Sequence, residues 1–331
     1  MIKNEILPAM GERKVADVHY GDIKKLHEAI TARGAPIRAN RVLAVASKMF
    51  SLALRPAAGE DIPWRNAAQG NPCKGVERNQ EEGHERFFSQ AELAALTDAL
   101  QGYGKTSASN CLRLIMLTGC RPGEAMRATW DEFAEAAFWD KPSAHTKQHK
   151  RHRVPLSPAA TELVAQLAIK RADGVEFVFP GRIAGEPLKE LRSAWKAVTE
   201  AASLALWRDA TDPRVAALVA DLERGLGRAP TVKEFVALAQ KAGVKLPPAP
   251  YGARVYDLRH SYASVGAGGG LSLQIIGRLL GHTTPATTQR YSHLGDDPLR
   301  EAAAKIGGVI ASAGKDSAPV VDIKTRPRRW E

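Results

Sequence analysis

"GHTTPATTQRYSHL", Gly281 to Leu294, breaks off an apolar run, "LQIIGRLL", that has the period of a helix. Glycine is the preferred residue just past a helix end, so Gly281 marks a stop and His282 stands at a bend. Thr284 is a helix cap and Pro285 suits a first helical position, which predicts a short second helix with Tyr291 about two turns along it. A tyrosine in a helix usually packs in a core. This one is flanked by Thr287, Thr288, Gln289, Arg290 and Ser292, which is not a core pattern. One bend could present His282 and Tyr291 to the same point.

Three other stretches place cations at similar positions. In "LTGCRPGEAMR" an apolar helix ends at Gly119, and Arg121 precedes a helix that Pro122 opens. Backbone amides at a helix start favour an anion there, although a turn arginine is more often simply solvated. In "YDLRHSYAS", Asp257 can cap a helix and put Arg259 in its first turn, with pairing to a surface carboxylate as the plainer reading. In "HTKQHKRHRVPLS", Lys147 sits where a hairpin should turn, and by itself would be a soluble charged turn.

The rest of the chain supplies the frame. Its 331 residues suggest two domains, and 44% hydrophobic content is enough for a core in each. A formal charge of +11 favours an anionic partner, nucleic acid first and an anionic membrane surface second. No apolar run is long enough to span a membrane, and the start lacks a signal-peptide pattern. Cys73, Cys111 and Cys120 show no metal-ligand spacing and argue against a disulfide framework, so a reducing cytoplasm is the expected compartment.

Residues 1–55 read as a partial helical domain with two helices, one from Asp17 to Thr31 and one in "RGAPIRANRVLAVASKMFSLAL" (33–54). In the second helix Val42, Leu43, Ala46, Met49, Phe50 and Ala53 recur at helical spacing, while Arg38, Arg41 and Lys48 lie on another side, as a solvated or a phosphate-tracking face. Residues 56–86 are polar, rich in Gly and Pro and aperiodic, and read as a linker between lobes that could close around a duplex. Residues 87–312 read as a larger domain: a capping box at Ser89 and Glu92, a small antiparallel sheet around Lys147, then helices. Residues 313–331 read as a loose tail.

The ordered set "TGCRPGEA", "TK" before "RHRVPLS", "DLRHSYAS", "LLGH" and "RYSH" closely resembles the tyrosine recombinases of the phage-integrase type. The resemblance covers most of the chain. It implies a mostly α fold with a small antiparallel β-sheet, a helical core-binding lobe and a mixed α/β catalytic lobe. It implies site-specific cleavage and rejoining of double-stranded DNA at attachment sites through a 3′-phosphotyrosine, with no metal and no cofactor. A synaptic homo-tetramer, a Holliday-junction intermediate and accessory DNA-bending proteins belong to the same expectation. By position, Arg121 and Arg259 resemble the phosphate-clamping arginines, Lys147 the acid that protonates the leaving 5′ oxygen, and His282 the histidine supporting the phosphate. Tyr291 resembles the nucleophile and Glu124 the acid that buttresses the first arginine. The chemistry suits these types: attack on a phosphodiester builds negative charge, which fixed planar guanidinium groups stabilise.

The chain departs from that pattern in three places. Tyr256 stands where the family usually has a histidine, three residues before the second arginine, and a phenol is no base at neutral pH. The first lobe looks short, as in a truncated or minimal form. Residues 204–250 form an insertion, in which Thr231 and Glu234 make a capping box and predict helices over about 212–226 and 231–242. It could touch DNA or a neighbouring subunit, or merely decorate the fold. A type IB topoisomerase-like strand transferase and a non-catalytic DNA-binding relative stay open as alternatives. The stripe of Leu299, Ala303, Ile306 and Ile310 near the C-terminus could dock on a neighbour or pack on its own lobe.

Overall fold

The computed structural model describes residues 1–82, 86–146 and 150–292. The chain divides into two compact units, Met1–His84 and Glu85–Glu331.

In the first unit a π-helical turn, Ile2–Ile6, runs into α1 (Leu7–Met10). Two amphipathic helices follow, α2 (Tyr20–Ala32) and α3 (Pro36–Ala53), and Pro36 opens the second where its missing N–H costs nothing. Ile6, Met10, Ile23, Ile30, Val42, Leu43, Ala46 and Phe50 make the core. Met49, expected on the inner face, is 37% exposed instead.

The stretch 56–82, expected to be a linker, packs onto this unit, which corrects the sequence reading. Arg65 is buried and donates to the carbonyls of Val15 at 2.7 Å, Val18 at 3.0 Å and Gly70 at 2.6 Å. Cys73 joins the core. Asn79 and Asn40 exchange bonds, the Asn79 N–H donating to Asn40 Oδ1 at 2.9 Å and Asn40 Nδ2 donating to the Asn79 carbonyl at 2.8 Å. The segment lacks a period because isolated turns, such as Gln69 N–H to the Asn66 carbonyl and Lys74 N–H to the Asn71 carbonyl, take the place of a repeating ladder.

In the second unit α4 (Gln90–Gly102) starts with the expected box, Ser89 Oγ accepting from the Glu92 N–H and Glu92 Oε2 from the Ser89 N–H. Next come α5 (Ser107–Thr118) and the short α6 (Pro122–Met126). Strands β1 (Phe138–Lys141) and β2 (His152–Pro155) pair antiparallel, Trp139 opposite Val154 and Lys141 opposite His152. Helices α7 (Pro158–Ile169) and α8 (Arg192–Arg208) complete a core with Leu96, Leu112, Ile115, Trp139, Trp195 and Val198. Each such side chain, fully buried, contributes about 1.5–3 kcal/mol.

The insertion forms α9 (Pro213–Leu226) and α10 (Val232–Lys241), within a residue of the expected bounds. Trp207, Val215, Val219, Val232 and Phe235 give it a core of its own. Finally α11 (Asp257–Gly268), α12 (Leu273–Leu280) and α13 (Pro285–Gln289) enclose a small cluster. The expected tail and the C-terminal stripe from Leu299 to Ile310 lie outside the described residues.

Candidate active site

Arg259 organises this region. It lies in the first turn of α11 and is 2% exposed. Its Nη1 donates to the Gly119 carbonyl and its Nη2 to the Leu280 carbonyl, both at 2.8 Å. Gly119 and Leu280 stand two residues before Arg121 and His282. A single planar fork therefore braces the two bends that carry those side chains, and a guanidinium has further donors beyond these. Among the described residues no carboxylate pairs with Arg259, in contrast to the surface pairing considered for it. Asp257 does not cap the helix either. Tyr256 holds that position, and Asp257 accepts from the Arg254 N–H at 2.7 Å.

Both bends need their glycines. Gly119 and Gly281 have φ of 61° and 68°, the left-handed region. A Cβ on Gly119 would stand 2.6 Å from the Tyr262 ring, and one on Gly281 2.8 Å from His152. His152 itself reaches from β2 to α12, its Nε2 2.8 Å from the Arg278 carbonyl oxygen.

Arg121 precedes α6 and donates from Nη1 to Glu124 Oε1 at 2.7 Å. The other oxygen, Oε2, accepts from Lys141 Nζ at 2.9 Å. Glu124 and Lys141 are 4% and 2% exposed, and the Lys141 ammonium lies 4.1 Å from the Trp139 ring centre. Burial pushes the Glu124 carboxyl up, but Lys141 and Arg121 outweigh it and hold it below the ordinary value. Glu124 thus stays ionised and holds Arg121. Sequence reasoning missed Lys141. Its alternation with Trp139 on one strand face was the available signal, since β1 buries every second residue.

His282 is half-buried, and its Nδ1 lies 2.8 Å from Thr288 Oγ1. Desolvation and the charges of Arg259 and Arg121 push its pKa down to about 4. The imidazole is therefore neutral at pH 7. In the tautomer where the Thr288 hydroxyl donates to Nδ1, Nε2 carries the proton and is a donor.

Tyr291 departs from expectation in two ways. It lies two residues past α13, not within a helix. It is also a core residue, 2% exposed and packed with Ala263, Ala267, Ile276 and Leu280, with the Phe87 ring edge-on at 6.1 Å. Its polar sequence neighbours concealed this, because the packing partners lie on other elements. Its hydroxyl is 2.7 Å from His260 Nδ1. Sequence reasoning passed over His260 too, although it stands next to Arg259. Tyr256, 42% exposed, turns its ring edge to His260 at 5.3 Å.

Lys147 lies outside the described residues. In the first unit Arg38 Nε lies 2.7 Å from Glu5 and Arg41 Nη2 3.0 Å from Glu81, while Lys48 is exposed.

A helical unit with one small hairpin, and with arginines, a neutral histidine and a tyrosine gathered at the ends of three helices, has the architecture of a tyrosine recombinase catalytic domain. Residues 86–214 match the model of the phage integrase family. Prophage integrase IntA of Escherichia coli (strain K12) is 26% identical over 184 residues, 55% of this chain and 43% of that protein. The integrase of Escherichia phage P2 is 27% identical over 234 residues, 70% of this chain and 50% of that protein. The chain spans about half the length of these curated relatives. Among solved structures, a lambda integrase(75-356) dimer bound to a COC' core site matches with TM-score 0.55 and 15% identity, over 88% of this chain and 85% of that one. The Tn1549 transposon integrase in complex with a circular intermediate DNA gives TM-score 0.54 and 14% identity, over 91% and 90%. These likenesses concern the fold.

Proposed function

We propose that this protein is a site-specific DNA recombinase that cleaves and rejoins double-stranded DNA through a 3′-phosphotyrosine at Tyr291. The observation that supports this reading is the Arg259 brace, whose fork holds the carbonyls two residues before Arg121 and His282. Arg121 and Arg259 stabilise the charge that develops on the non-bridging oxygens, and His282 donates from Nε2. Glu124 and Lys141 keep Arg121 in place. Lys147 supplies the proton for the leaving 5′ oxygen. The bond energy stays in the phosphotyrosine, so rejoining needs no ATP. With Tyr291 so little exposed, engagement of DNA has to uncover its hydroxyl.

The partners in this reading are DNA attachment sites, synapsed by a homo-tetramer with accessory DNA-bending proteins, in the cytoplasm. Arg38, Arg41 and Lys48 track phosphates, the two arginines exchanging their carboxylate partners for DNA. A nicked suicide substrate tests the chemistry. The parent should accumulate a covalent protein–DNA adduct, and Tyr291→Phe should bind the same DNA and give none. An adduct from the Phe variant would remove the assignment. Replacing Arg38, Arg41 and Lys48 singly by Ala should each lower the log–log salt slope of binding by roughly 0.9.

A further inference from the structure

The tyrosine hydroxyl must lose a proton as it attacks. Tyr256, at the position where a histidine is expected from the family resemblance, is unsuited to take it, since a free phenol titrates near 10. Nor does Tyr256 approach the hydroxyl in any bond the structure describes; its ring meets His260 instead. Among the described residues, the His260 imidazole meets the Tyr291 hydroxyl, at 2.7 Å in a buried bond. His260 is 9% exposed. It follows Arg259 directly on α11, so the phosphate clamp and this imidazole ride on one helical turn.

Resting on the reading of Tyr291 as nucleophile, we infer that His260 is the general base of strand cleavage, a role displaced by one helical turn from position 256. In the resting enzyme the neutral imidazole carries its hydrogen on Nε2, and Nδ1 accepts from the phenol. As the Tyr291 Oη–phosphorus bond forms and the phosphorus–O5′ bond breaks, the phenolic proton passes to Nδ1 and the departing 5′ oxygen takes a proton from the acid. On rejoining, the imidazolium returns its proton to the departing phenolate. Full transfer before attack is uphill, because the phenol holds its proton far more tightly than an imidazole, so transfer accompanies bond formation.

The surroundings keep the imidazole neutral. Burial lowers its affinity for a proton, and Arg290, Arg259 and Arg254 act in the same direction against Asp257. Tyr256 lies on its ring and Tyr291 on its Nδ1.

Single-turnover cleavage of the suicide substrate tests this. His260→Asn keeps a hydrogen-bond acceptor near the position of Nδ1 but does not titrate. It should retain DNA binding and thermal melting close to the parent and slow cleavage by about 10²–10⁴. The parent rate should fall with acid through an inflection below the ordinary histidine value of about 6.5, and this inflection should vanish in the variant. A substrate with sulfur in place of the 5′ bridging oxygen, whose leaving group needs no proton, should rescue Lys147→Ala and fail to rescue His260→Asn. His260→Gln guards against a fold defect peculiar to Asn. A parent that forms no adduct overturns the recombinase reading itself. A parent that cleaves while both His260 variants match its rate and pH profile overturns this inference alone, as does rescue of His260→Asn by the sulfur substrate.

Discussion

The insertion and the candidate site sit in one unit and treat charge in opposite ways. Around α9 and α10 each of four arginines has a carboxylate within reach: Arg208 with Glu223, Arg214 with Asp212, Arg224 with Asp221 and Arg228 with Glu234. All four pairs are on the surface, where such contacts are worth little. Around α11 and α12 the cations are drawn inward, and Glu124 alone is shared by Arg121 and Lys141 while Arg259 is held by carbonyls. Carbonyls orient a guanidinium without cancelling its charge. The insertion's arginines are thus paired with carboxylates, whereas Arg259 keeps an uncancelled charge for an anion to meet.

Removing the shared carboxylate should break this contrast most severely. Glu124→Ala leaves Lys141 buried with its charge unpaired, and loss of one partner of such a pair typically costs about 3–5 kcal/mol. Chemical denaturation should show it, and Arg228→Ala should leave the DNA-cleavage rate where it was. Arg259→Ala comes next. It should lower suicide-substrate cleavage by about 10²–10³, and Arg259→Lys should not restore the rate because an ammonium cannot span both carbonyls.

A matched glycine pair sharpens the comparison. Gly227 ends α9 and Gly281 ends α12, at φ of 60° and 68°. Alanine in this conformation costs about 1–2 kcal/mol at either position. Nothing lies within 4 Å of a Cβ on Gly227, while one on Gly281 meets His152 at 2.8 Å. Gly281→Ala should therefore melt lower than Gly227→Ala and also slow cleavage.

The smallest effect concerns His282. Its folded pKa of about 4 lies below the unfolded value, so its contribution to stability is present at neutral pH and is lost as pH falls from about 6.5 toward 4. A bound phosphate oxyanion would offset the arginine field and raise that pKa. NMR titration with and without a DNA half-site checks the sign, and a value that fell on binding would contradict the placement.

Local features were legible in advance, and non-local ones were not. The capping boxes at Ser89 and Thr231 join residues three apart, so the starts of α4 and α10 could be read directly. The glycine stops at Gly119 and Gly281 were as plain. Arg65 was opaque because its partners at Val15 and Val18 are about fifty positions away, and a polar aperiodic stretch then looked like a linker. Tyr291 was half-legible. Its place past the Gly281 bend marked it as a functional candidate, but its burial comes from Phe87, α11 and α12, which no local window contains. Lys141 and His260 were visible as residue types, yet their partners Glu124 and Tyr291 come from other elements.

The Arg259 brace has a consequence for how substitutions combine. Because one guanidinium holds both the Gly119 and Leu280 carbonyls, a shift of either bend alters the geometry of the other. Defects at Arg121 and His282 should not simply add. A double-mutant cycle between them should return a coupling free energy although no bond between their side chains is present in the structure. Repeating the cycle in an Arg259→Lys background should erase most of it. Substitutions tolerated at one bend in a relative with a different brace would then fail here, a form of epistasis carried by a single side chain.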